Sequence, residues 1–67
     1  MIKIYGKDNC SKCETLKNIL NEKGISFEYS DDIKTLMVVA SKARIMSAPV
    51  VEYEEKFYSM ENFLEVI

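Results

Sequence analysis

Apolar and polar residues alternate through Met1–Tyr5, with β-branched Ile2 and Ile4, and this period of two predicts a strand. Gly6 to Asn9 reads as a loop. From about Ser11 to Lys23 the period lengthens. Cys13, Leu16, Ile19 and Leu20 form a helical stripe, and Gly24 is its natural stop. Ile25, Phe27 and Tyr29 then alternate with Ser26, Glu28 and Ser30, which predicts a second strand. Asp31 and Asp32 can cap a second helix. Ile33, Leu36, Met37 and Ala40 mark its expected buried face, and Val38 and Val39 broaden that face. Ser47-Ala48-Pro49 leads into a third strand, Val50–Tyr53. Glu54-Glu55 reads as a two-residue turn without the Gly or Asn that such turns favour. A short fourth strand follows at Lys56–Tyr58. Ser59 then caps a last helix, on which Met60, Phe63, Leu64 and Ile67 recur at helical spacing.

The predicted order is therefore βαβαββα. A strand–helix–strand unit demands parallel strands and a right-handed crossover, whereas a short turn demands antiparallel ones. The expected fold is α/β, a four-stranded mixed sheet flanked by helices. With 67 residues, of which 48% are hydrophobic and 30% charged, the chain reads as one globular domain spanning 1–67. A core this small stabilises weakly. A bridge between Cys10 and Cys13 would add little, because it closes a very short loop and stabilisation grows with loop length. The close pair therefore needs another explanation.

Charge narrows the partners. Residues 1–49 carry eight basic and six acidic side chains; residues 50–67 carry Lys56 against five glutamates. No basic stripe suggests nucleic acid. No apolar run approaches the roughly 18 residues of a membrane span, and the N-terminal run is broken at Lys3, so neither a membrane segment nor a signal peptide is expected. The expected setting is a reducing cytosol, where a close cysteine pair reads as catalytic or metal-binding and not structural.

Cys10-Ser11-Lys12-Cys13 falls where the first strand feeds the first helix. A helix N-terminus presents unpaired N–H groups and a partial positive charge, and both favour an anion. Thiolate is the reactive form of cysteine, so this placement should activate Cys10, with Lys12 and Lys7 acting in the same direction. Cys10 at the cap can attack a disulfide. Cys13, one turn in on the apolar face, can resolve the mixed disulfide. Cys-x-x-Cys in a strand–helix–strand setting reads as thioredoxin-like redox chemistry. Zinc wants four N or S ligands, and two cysteines without histidine cannot complete such a site in one chain, although two chains could share one. A pair of inert thiols is the blander alternative.

Three segments carry a family resemblance: Ile4-Tyr5-Gly6-Lys7, Cys10-Ser11-Lys12-Cys13-Glu14 and Ser47-Ala48-Pro49-Val50-Val51. With the element order, they make the chain resemble the glutaredoxins, members of the thioredoxin-like fold. The resemblance implies that Pro49 follows a cis peptide bond and lies against the cysteine pair. It also implies that the backbone at Ala48 pairs with an extended substrate, and that Lys7 helps hold a carboxylate of glutathione. Two departures stand out. Ser11-Lys12 replaces the commonest Pro-Tyr between the cysteines. Ser59-Met60, with Asn62 beyond, stands where glutathione-binding members have Gly-Gly and then an acid. Losing those glycines crowds close backbone approach by a ligand.

Ala48-Pro49-Val50-Val51 and Tyr58-Ser59-Met60 are similar to segments of the NrdH-redoxin branch. That branch takes electrons from thioredoxin reductase and reduces ribonucleotide reductase, and the likeness implies a substrate-recognition role for Tyr58 and Ser59. Plain core packing is the competing reading of Tyr58 and Met60. The expected function is a monomeric dithiol thiol–disulfide oxidoreductase acting on protein disulfides, ribonucleotide reductase among the candidates. It would hold no bound cofactor or metal and would be fed by glutathione or by thioredoxin reductase with NADPH. A redox-controlled binding module without turnover is the alternative.

Overall fold

The computed structural model describes all 67 residues. Seven elements follow one another: β1 (Lys3–Tyr5), α1 (Ser11–Glu22), β2 (Glu28–Ser30), α2 (Ile33–Ala43), β3 (Val50–Tyr53), β4 (Lys56–Ser59) and α3 (Met60–Val66). The four strands form one sheet in the order β2-β1-β3-β4. β1 pairs parallel with β2 and antiparallel with β3, and β3 pairs antiparallel with β4. This is the mixed α/β sheet expected from the element order.

Alternation along the central strands divides the core. Ile4 and Val51, which are cross-strand partners, pack with Ile2, Leu16, Leu20 and Phe63 on the face covered by α1 and α3. Val50 points the other way and packs with Leu36 and Val39 of α2. Tyr5 and Phe57 flank that second layer.

α1 ends as Gly24 allowed. Gly24 adopts a φ of 71°, its N–H bonds to Asn21 O at 3.1 Å, and the N–H of Ile25 bonds to Leu20 O at 2.9 Å. These paired bonds are the Schellman stop. They also shorten the second strand. Ile25 is committed to the helix end, so pairing begins only at Glu28, and Ile25 and Phe27 pack on the core from outside the ladder.

α2 departs from expectation. Its buried seam is Leu36 and Val39, while Ile33, Met37 and Val38 are exposed. The helix meets the sheet along one narrow line, so an apolar arc wider than that line cannot all be covered. α2 closes with Arg44 in the left-handed region at φ 58°, a place usually given to glycine. The β3–β4 turn does form at Glu54-Glu55, with φ of 50° and 64°, and β4 runs one residue further than expected, to Ser59.

Candidate active site

The loop after β1 delivers Cys10 to the N-cap of α1, where its backbone is extended (φ −111°, ψ 106°). A cap side chain must accept from the first-turn amides, and here sulfur does so: the Cys13 N–H donates to Cys10 Sγ at 3.1 Å. Cys13 is fully buried beside Leu16 and Leu20, whereas Cys10 is partly exposed. The two are joined as a disulfide, with Cα atoms 5.3 Å apart. After reduction, the same amide and the positive end of α1 remain aimed at Cys10 Sγ and favour an anion there.

Gly6 is the residue that sequence reasoning undervalued. It is buried, and its N–H extends the β1–β2 pairing by bonding to Ser30 O at 2.8 Å. A Cβ placed on it would lie 2.8 Å from Cys13 Sγ and 2.9 Å from Tyr29 Cζ, and would also strike the Tyr29 hydroxyl. The bare Cα is what lets the resolving position and the Tyr29 ring close over the end of β1. A lone glycine at a strand end just before a cysteine pair was the available signal. Tyr29 has no such signal. Lys17 lies over its ring, 4.1 Å from the centroid, and is itself held by Glu14 at 3.0 Å. Desolvation by burial raises the Tyr29 pKa above its ordinary value, with Lys17 opposing in part.

The Ala48–Pro49 peptide bond is cis and Pro49 is fully buried. Pro49 immediately precedes Val50, the strand partner of Tyr5, so the proline loop enters β3 at the end of β1 where Gly6 meets Cys13. Lys7 and Ala48 both border a groove along α2.

The remaining candidates have structural partners. Lys12 pairs with Glu61 of α3 at 3.5 Å, both side chains being well exposed, and this carboxylate offsets part of the cation's influence on Cys10. The Glu61 carboxyl is held below its ordinary pKa first by its own backbone N–H and then by Lys12. Ser59 caps α3, its hydroxyl accepting from the Asn62 N–H at 3.2 Å. Tyr58 stacks obliquely on Phe63, with centroids 6.0 Å apart. Tyr58 and Met60 thus line the core, and the Ser59 hydroxyl is engaged by the helix. No three His, Cys, Asp or Glu side chains gather as a metal site, and no helix is long and apolar enough to cross a membrane.

Comparison with known proteins agrees with this geometry. The chain is 39% identical over 54 residues to the N-acetyl-S-hydroxy-L-cysteine reductase of Bacillus subtilis (strain 168). That match takes in 76% of this chain and 58% of the reductase, so the chain spans little more than half of that relative's length. The crystal structure of the thioredoxin-like protein BC3987 superposes over all of both chains with a TM-score of 0.79 at 18% identity, a likeness of fold. A glutaredoxin from Archaeoglobus fulgidus superposes with a TM-score of 0.72 at 25% identity, covering 96% of this chain and 82% of that one. The family model described as Glutaredoxin matches residues 2–58, which takes in the cysteine pair, the proline loop, the first three strands and most of the fourth, and the chain belongs to the glutaredoxin family.

Proposed function

We propose that residues 1–67 act as one unit, a cytoplasmic dithiol electron carrier that reduces disulfides in other proteins. The observation that carries this reading is the division of the pair: one sulfur at a helix cap and accessible, the other within bonding reach and wholly buried. Cys10 thiolate attacks one sulfur of the substrate disulfide, forming a mixed disulfide and releasing the other sulfur as a thiolate, which takes a proton from water. Cys13, deprotonated, then attacks Cys10 Sγ and releases the second substrate thiolate. The product is the Cys10–Cys13 disulfide, and two electrons and two protons from a reductant restore the dithiol. Lys7 supports the thiolate, as does Lys12 with its influence trimmed by Glu61. The Ala48-Pro49 loop offers backbone to an extended substrate, and Tyr58 and Ser59 shape the neighbouring rim. A single chain suffices, and no metal or bound cofactor takes part.

The finer reading places ribonucleotide reductase among the substrates and leaves two electron sources to be distinguished. Disulfide reduction is run in parallel with glutathione, glutathione reductase and NADPH, and with thioredoxin reductase and NADPH. Turnover with the second source alone supports the NrdH-like reading. Turnover with glutathione alone makes the chain a glutaredoxin in the narrow sense. Silence with both, using fully reduced protein, refutes the carrier and favours a redox-controlled binding module. Cys10→Ser should abolish turnover, and Cys13→Ser should trap the mixed disulfide.

The 39% identity to the Bacillus subtilis reductase favours a second substrate, a small cysteine sulfenic acid. Cys10 thiolate would attack the sulfenyl sulfur and expel hydroxide, which leaves as water, and Cys13 would release the thiol. Consumption of N-acetyl-S-hydroxy-cysteine faster than protein disulfides would favour it.

A further inference from the structure

The resolving half of the reaction makes a demand that the attacking half does not. Cys10 sits at a helix cap, partly exposed, and the Cys13 N–H donates to its sulfur. Cys13 is fully buried. Its sulfur must nevertheless carry negative charge, first as the thiolate that attacks Cys10 and later as the leaving group when a reductant reopens the bridge. Charge on an atom cut off from water is unfavourable unless a polar group donates to it.

Tyr29 brings such a group. It is the register partner of Ile4 and packs on the same side of the sheet, with its ring over Gly6. A methyl group on Gly6 would meet Cys13 Sγ at 2.8 Å and Tyr29 Cζ at 2.9 Å, with the hydroxyl closer still. Sulfur and phenol therefore look onto one small space, which the bare Cα of Gly6 leaves open. The hydroxyl has no competing side-chain partner. Tyr5 commits its own to Glu52 at 2.9 Å, whereas burial and charge, and no side-chain hydrogen bond, act on Tyr29. Lys17 lies 4.1 Å from the ring centroid, is steered by Glu14 at 3.0 Å, and holds the ring in place. Desolvation, opposed by Lys17 and aided by Glu14, Asp31 and Asp8, keeps the phenol protonated and so a donor at neutral pH.

We propose that Tyr29 is a further catalytic residue, its hydroxyl donating a hydrogen bond to the Cys13 thiolate across Gly6. In the resolving step Cys13 loses its proton to solvent, and the thiolate, held by Tyr29, attacks Cys10 Sγ. The Cys10–Cys13 bond forms, the bond from Cys10 to the substrate sulfur breaks, and the departing thiolate takes a proton from water. Tyr29 keeps its own proton throughout. When a reductant attacks Cys10, Cys13 leaves as a thiolate into the same hydrogen bond. The assignment rests on the oxidoreductase reading above and adds a residue to its second half.

The test is a stopped-flow reaction of the reduced protein with dithiobis(nitrobenzoate). Attack by Cys10 releases one thionitrobenzoate in a phase that depends on reagent concentration. Attack by Cys13 on the mixed disulfide releases the second in a phase that does not. Cys13→Ser, which keeps only the first release, assigns the two. Tyr29→Phe removes the hydroxyl and keeps the ring. A hydrogen bond to an anion corresponds to about one unit of thiol pKa. The tenfold loss of thiolate is partly offset by greater nucleophilicity, so near neutral pH the second phase should slow about three- to fourfold. The first phase should not change, and the pH at which the second levels off should rise by about one unit. A second phase unchanged at every pH, or both phases slowed in equal proportion, overturns the assignment. If the parent protein shows no second phase, the redox reading fails by itself, and the carbon-13 shift of the Cys13 β carbon decides the hydrogen bond separately. Followed against pH in Cys10→Ser, its midpoint should lie about one unit below that in Cys10→Ser with Tyr29→Phe. Equal midpoints overturn the bond.

Discussion

Gly6→Ala tests the packing beneath the cysteine pair with a single methyl group. The added carbon would stand 2.8 Å from Cys13 Sγ and 2.9 Å from Tyr29 Cζ, with the phenol oxygen closer still. Relaxed carbon contacts run near 3.5–4.0 Å, so several tenths of an ångström must be found on at least two sides. The backbone cannot retreat without losing the Gly6–Ser30 hydrogen bond, and Cys13 is anchored by α1 and its disulfide. The Tyr29 ring is the part that can give, at the expense of its contact with Lys17. Overpacking of this kind costs about 1–3 kcal/mol. The φ of Gly6 is not in the left-handed region, so alanine recovers about 0.4–1 kcal/mol by restricting the unfolded chain. The expected net loss is about 1–2 kcal/mol, read as a fall in the urea midpoint of the oxidised protein, or roughly 5–15 °C in Tm for a domain of this size. Adding Tyr29→Phe removes the nearest obstructing atom and should make the glycine substitution cheaper, a coupling visible in a double-mutant cycle. Stability of Gly6→Ala within 0.5 kcal/mol of the parent protein, or a cost unchanged in the phenylalanine background, would refute the close-approach argument.

Other expectations follow from single features. Ser59→Ala removes the α3 cap and should cost about 1 kcal/mol in urea unfolding, with Ser59→Asp retaining most of the stability; no loss would mean that the Ser59–Asn62 bond carries nothing. Replacing Glu54-Glu55 by Asn-Gly suits two left-handed residues and should raise stability by about 1 kcal/mol; a destabilised hairpin by thermal melting would contradict the turn geometry. Tyr5 and Tyr29 both have pKa values raised above the ordinary value near 10, chiefly by desolvation, Tyr5 also by its hydrogen bond to Glu52 at 2.9 Å. Above pH 10 the unfolded phenols lose their protons while the folded ones keep them. Stability present below pH 10 is therefore lost as pH rises through the folded values, and Tyr5→Phe and Tyr29→Phe should each flatten that fall in alkaline unfolding curves.

Elements governed by local pattern were legible in the sequence. The βαβαββα order, the Gly24 stop, the caps at Asp32 and Ser59, and the placement of Cys10 before α1 all follow from neighbours within a few residues. What depended on distant partners was not. Ile33 and Met37 fit a helical stripe as well as Leu36 does, and only the width of the sheet contact decides that they stay outside. Lys12 finds Glu61 nearly fifty residues away, and Tyr29 closes over Gly6 across the β1–β2 pair; neither partnership has a local signature. The pairing of Glu54 with Glu55 in a left-handed turn shows the same limit, since the strands impose a backbone that those residues do not themselves prefer.

The cap of α1 has a kinetic consequence. Most helices are capped by an oxygen that takes no part in chemistry, whereas here the capping atom is the sulfur proposed to react. Each change in its bonding must therefore be felt by the first turn. When Cys10 is tied to a bulky substrate its sulfur has another neighbour to accommodate, and the amide of Cys13, which donates to that sulfur, becomes the first to fray. Hydrogen exchange at Cys13 should follow the catalytic cycle without any added probe, fastest in the mixed disulfide and slowest when the two cysteines are joined.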